Sequence, residues 1–105
     1  MTTTFDKREE GFENLFVHDE TLKFKATARR DRLFGLWAAE KLGLSGPAAE
    51  AYAKDVIIAD IEQHDVFPKI RKDFDAKGVT MSDEQIRRVM TELMARAIIE
   101  VKAGK

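Results

Sequence analysis

The chain has 105 residues, no cysteine, and 18 basic side chains against 19 acidic ones. That length suits a single domain with one modest core. The lack of thiols excludes disulfides and thiolate metal sites and fits a reducing compartment, and the balanced charge argues against a dedicated nucleic-acid binder. No apolar run is long enough to span a bilayer, and the start, MTTTFDKREE, lacks the apolar stretch of a signal peptide, so the expectation is a soluble cytoplasmic protein.

Residues 1–4 read as a polar, disordered lead-in. Asp6 and Glu9 have capping-box spacing, so a helix is expected from Lys7 to Phe16 or Val17. On it Phe5, Phe12 and Phe16 share one stripe, with Leu15 beside Phe12. Gly11 interrupts the segment at a cost of about 1 kcal/mol relative to alanine, and a helix of about twelve residues is already marginal alone in water. The stretch therefore needs a partner: either a groove on another protein, or this chain's own core, against which it would fold as a fifth helix. Residues 1–18 are read as an N-terminal arm, mobile or marginally helical, and 19–105 as a helical bundle.

Charge is split along the chain. Residues 1–20 hold two basic and six acidic side chains, a net of −4, whereas 22–32 hold five basic and one acidic, a net of +4. Helix dipoles and solvated faces account for such a split, and so does a two-signed docking surface.

Asp19 is a good N-cap for a long second helix, expected from Glu20 to Leu42 and stopped by Gly43. Its apolar stripe is read as Leu22, Ala26, Leu33 and Trp37, with Phe24 and Phe34 on flanking faces. Ser45-Gly46-Pro47 restarts the chain into a helix over 48–61. That helix is apolar nearly all round and is expected to be the central core helix. Residues 62–64 read as a connection, Asp65 as the cap of a short helix carrying Phe67, Ile70 and Phe74 on one face, and Gly78 as its stop. Ser82 and Gln85 form a capping box for a last helix whose stripe runs Ile86, Val89, Met90, Leu93, Met94, Ala97 and Val101. The fold class that follows is all-α: a four-helix bundle behind an N-terminal arm.

Little here suits catalysis. There is no glycine-rich phosphate loop, and His18 and His64 are too far apart to form a helical metal pair. Ser45 and Ser82 read as caps. Asp60, Glu62, His64 and Asp65 cluster enough to hold a cation weakly, but read more simply as an exposed turn.

With FDKRE, KFKATARR and GLWAAEKLG in that order, followed by AYAKDV, DVFPKIRKDFDAKGV and SDEQIRRVMTEL, nearly the whole chain resembles one family. It is the zeta-subunit family, the ATPase inhibitors of the alphaproteobacterial F1Fo-ATP synthase, once known only as a domain of unknown function. The resemblance implies a four-helix bundle whose N-terminal segment is inhibitory. That segment becomes helical in the cleft between a catalytic β subunit and its α neighbour, beside the rotating γ shaft, and blocks ATP hydrolysis. The matching inhibitory residues are Phe5, Asp6, Arg8, Glu9, Phe12, Glu13 and Phe16. Lys23, Phe24, Ala26, Ala28, Arg29 and Arg30 match the next block, at the cleft mouth.

The implied partners are the F1 α, β and γ subunits, without nucleic acid or membrane insertion. The free protein would be a monomer, held peripherally at the inner membrane through F1. No catalytic residue, metal or required cofactor is implied. Weak ATP or ADP binding is associated with the family, and Lys25, Arg29, Arg30 and Arg32 are the candidate phosphate contacts. Gly11 departs from relatives, which more usually carry alanine there. The alternative reading is a small helical nucleotide-binding or protein-interaction module with little inhibitory activity.

Overall fold

The computed structural model describes residues 20–104, which form four helices and no strand. They are α1 (Glu20–Lys41), α2 (Gly46–Gln63), α3 (Phe67–Lys77) and α4 (Asp83–Lys102). The chain is thus the all-α four-helix bundle expected from its sequence. The helix expected near Lys7–Phe16 and the cap at Asp19 lie outside the described residues.

The helix ends follow from local chemistry. Past α1, Gly43 takes φ 82°, Leu44 N–H donates to Ala39 C=O at 2.8 Å and Gly43 N–H to Glu40 C=O at 3.1 Å. This is a Schellman stop, which needs a left-handed residue that glycine supplies without a Cβ clash. Gly78 repeats it after α3, with Val79 N–H on Phe74 C=O at 2.9 Å. At the start of α4 the capping box is complete: Gln85 N–H donates to Ser82 Oγ at 3.1 Å and Ser82 N–H to Gln85 Oε1 at 2.9 Å. Ser45 also precedes a helix, but its hydroxyl makes no capping bond, so Pro47 alone sets that start. The N-cap of α3 is Val66 rather than the expected Asp65 and makes no side-chain capping bond; Asp65, one residue earlier, closes a local turn, its Oδ1 accepting from Phe67 N–H at 3.0 Å.

The helix 48–61 is not the central one. Ile58 and Ile61 of α2 are 49% and 63% exposed, and only Ala53, Val56 and Ala59 are buried. The middle is taken by α1, which packs along both α2 and α4 while α3 packs against α4. A run apolar on every side does not by itself say which face meets the neighbour. The alanines of α2 could serve either way.

The face of α1 also differs from the expected stripe. Asp31, Phe34, Gly35, Ala38 and Ala39 are its buried positions beyond Ala26, whereas Leu33 and Trp37 are half-buried and Phe24 is exposed. The small residues let α2 approach closely. Phe34 then fills the centre with Val56, Ile70, Phe74 and Ile86, all fully buried, and Trp37 stacks on Phe34 at 5.6 Å.

Candidate functional site

The basic strip of α1 is where sequence reasoning placed its described site residues. Lys23, Phe24 and Lys25 are exposed, Phe24 at 68%. Beyond them the strip turns inward. Arg29 reaches across to α4 and donates to Glu100 Oε1 at 3.2 Å; Arg96 holds the same carboxylate at 2.8 Å. The hydrogen bond from Arg96, and then that from Arg29, keep Glu100 below the usual carboxylate range. Arg32 reaches α2 and forks onto Glu50 at 2.9 and 3.0 Å. Arg30 turns into the seam between α1 and α2. The structure therefore does not bring Lys25, Arg29, Arg30 and Arg32 together as one open cradle. A phosphate on the three arginines would have to displace carboxylates already seated there.

Two concave surfaces flank this strip. One, of about 450 Å³, has an apolar floor of Leu22, Ala28, Ile57 and Val101 below Phe24. The other, of about 480 Å³, lies along α4 between Arg30 and Arg87 over Met90, Met94 and Ile98. Both arginines are already engaged, Arg87 lying 3.9 Å over the Phe67 ring and Arg30 bonding acidic groups.

The feature that sequence reasoning missed is the acidic partner of Arg30. Asp31 is 1% exposed. Arg30 Nε donates to its Oδ1 at 2.7 Å, and the same guanidinium lies 4.0 Å from Asp60 Oδ2 on α2. Burial first, then a hydrogen bond with the Asp60 carboxyl, push Asp31 up to about 7 against the pull of Arg30. The signal was present in the spacing: Asp31 sits four residues before Gly35 and three before Phe34, on the small-residue face. Asp60, grouped by sequence with Glu62, His64 and Asp65, belongs instead to this seam. His64 is the left-handed cap of α2, at φ 61°, donating its N–H to Asp60 C=O at 2.8 Å. No group of acidic and histidine side chains fit to hold a metal occurs among the described residues.

On the other side of the bundle the Tyr52 hydroxyl donates to Asp73 Oδ2 at 2.7 Å, an oxygen that also accepts from Lys69 at 3.1 Å. Arg71 ties α3 to α4 through Met81 C=O at 2.6 Å and Asp83 at 3.0 Å. In each case charged side chains brace helices against one another, and the class that emerges is a small helical bundle with its polar chemistry spent on architecture. Residues 1–100 match the family model described as ATPase inhibitor subunit zeta, and the chain belongs to that family. Its members are regulatory inhibitor subunits rather than enzymes, which directs the chain's action to ATP synthase subunits. A solved relative, described as the solution NMR structure of a protein, shares 40% identity and superposes with a TM-score of 0.69, over 80% of this chain and 99% of that one. No curated protein matches the chain at a significant level. No described helix is long and apolar enough to cross a membrane.

Proposed function

We propose that residues 5–16 are the inhibitory wedge and that the bundle holds it in place on F1. In this reading the arm docks as a helix at the catalytic α/β interface beside γ, with Phe5, Phe12 and Phe16 as its buried stripe. Asp6, Arg8, Glu9 and Glu13 line its polar flanks. Such a segment orders as it binds, and it acts by favouring one rotational state over the others. The observation that carries this reading is that the family match begins at residue 1, so the arm belongs to what family members share. The exposed Lys23, Phe24 and Lys25 at the start of α1 support it as a second contact where the arm meets the bundle. Arg29 and Arg30, already in ion pairs, would act there by bracing α1.

The test is ATP hydrolysis by purified F1 titrated with the full chain, with Phe12→Ser, and with a chain lacking residues 1–16. Full-length protein should inhibit. Phe12→Ser should weaken inhibition at least about thirtyfold, the effect of losing a central anchor worth about 2 kcal/mol or more. The truncated chain, checked for helicity, should not inhibit. Equal inhibition by all three proteins would show that the arm is not the wedge.

A further inference from the structure

We propose that Arg30, Asp31 and Asp60 form a proton-operated joint between α1 and α2, closed while the two carboxyls share a proton and loosened when both are ionised. Three geometric observations carry it. First, Asp31 is the charged residue in the buried set of the described residues, and it lies in mid-helix, where no loop can carry it out to water. Second, the cluster does not balance. One guanidinium serves two carboxyls, at 2.7 Å from Asp31 and 4.0 Å from Asp60, so with both ionised one negative charge is left uncompensated beside the buried Asp31, while Asp60 keeps partial contact with solvent. Paired carboxyls in that position hold a proton between them.

Third, the seam has no slack. A Cβ placed on Gly35, one turn from Asp31, would meet Ala53 Cα at 2.7 Å. Ala53, Val56 and Asp60 follow one another along a single face of α2 at helical spacing. With the backbones already in contact there, the buried Asp31 carboxyl cannot reach water unless the helices shift, whereas the half-buried Asp60 meets water at the rim of the seam. Ionisation therefore acts on the seam rather than on a free side chain.

The surroundings leave the pair to itself. From α1 the facing charge is Arg30, and from α2 it is Asp60, with His64 exposed one turn further along. From α4, Arg87 lies across the cavity that Arg30 lines and is seated on Phe67, and Glu100 is taken up by Arg29 and Arg96. Burial and the Asp60 hydrogen bond bring the titration of Asp31 up to about 7, so the joint works in the neutral range. It governs how firmly the first half of α1, to which residues 1–19 connect, is held on α2.

The test uses the full chain and an Asp31→Asn variant, whose amide imitates the protonated partner of Asp60. Amide hydrogen exchange is followed from about pH 5.5 to about pH 8.5 and expressed as protection factors, which remove the intrinsic effect of pH. In the parent chain, protection across α1 and α2 should fall by about tenfold or more over this range, the equivalent of one pKa unit of coupling. In Asp31→Asn it should stay level. Constant protection in the parent chain, or the same fall in both proteins, would overturn the proposal. Should the variant fail to fold, the carboxyl carbon shift of Asp31 in the parent chain decides. A transition in the neutral range supports the joint, and one below about pH 5 overturns it.

Discussion

Gly35 of α1 packs directly on the backbone of Ala53 of α2: a methyl group on Gly35 would lie 2.7 Å from Ala53 Cα and 3.2 Å from its Cβ. The first of these is a backbone atom and cannot swing aside. Alanine in mid-helix normally gains about 1 kcal/mol over glycine. Here overpacking, typically about 1–3 kcal/mol, opposes that gain. Gly35→Ala is therefore expected to lower stability by up to about 2 kcal/mol, read as an earlier urea midpoint with an unchanged slope. A midpoint moved upward would mean that the seam has room to spare.

The carboxyl one turn away makes stability depend on pH. Asp31 is raised from 3.8 to about 7 in the folded chain. Between those values the folded chain keeps a proton that the unfolded chain has released. Its contribution to stability is thus complete below the unfolded value and is lost as pH rises through about 7. At about 1.4 kcal/mol per pKa unit, the difference across the window is at most about 4 kcal/mol. Urea unfolding at about pH 5.5 and about pH 8 should show the parent chain losing stability with rising pH. Asp31→Asn should lose markedly less and be the more stable of the two at the higher pH.

Much of this architecture could be read from the sequence, but not the rotation of α1. Gly43, Gly78 and the Ser82–Gln85 pair marked helix ends because each acts through its own backbone neighbours. Phe67, Ile70 and Phe74 marked a buried face because the rest of α3 is polar. On α1 the large residues Leu22, Leu33 and Trp37 suggested a stripe, yet the small ones, Gly35, Ala38 and Ala39, are what a second helix can approach. Asp31 was hidden for the same reason. A carboxylate among charged neighbours looks solvated until its partner, twenty-nine positions further on, is known. The strip of α1 basic residues likewise looked like a ligand cradle because the acids that occupy it, Glu50, Asp60 and Glu100, come from other helices.

Tyr52 illustrates a partner that could be expected but not named. Its hydroxyl donates to Asp73 at 2.7 Å, joining α2 to α3, and Lys69 sits 4.9 Å from its ring centre. Burial, followed by the bond to Asp73, pushes the phenol above its usual range. Tyr52→Phe should cost about 1 kcal/mol in urea unfolding, since Asp73 keeps Lys69 and some access to water. As the chain's single tyrosine, it should also show little phenolate absorbance at about pH 10.5 while the bundle stays folded.

Gly11 tests the wedge through propensity alone. If residues 5–16 dock as a helix, Gly11→Ala removes about 1 kcal/mol of ordering cost without adding a contact to the bundle. Inhibition of F1 should then strengthen by about fivefold in half-maximal concentration. Unchanged or weakened inhibition would mean either that the segment binds in another conformation or that the target approaches position 11 too closely for a methyl group.

Ser82 and Ser45 stand in the same place before their helices and should respond differently to the same change. Ser82 accepts from Gln85 N–H at 3.1 Å and is answered by the Gln85 side chain at 2.9 Å, so two donors at the start of α4 depend on the pair. Removing such a cap costs about 1 kcal/mol. Ser45 makes no side-chain capping bond, and Pro47 presets the first turn of α2 without one. Ser82→Ala should therefore shift the urea midpoint downward, with amides at the start of α4 exchanging faster, whereas Ser45→Ala should leave both within about 0.3 kcal/mol of the parent chain. Equal losses at the two sites would mean that the Ser45 hydroxyl finds in solution the backbone donor it lacks in this structure.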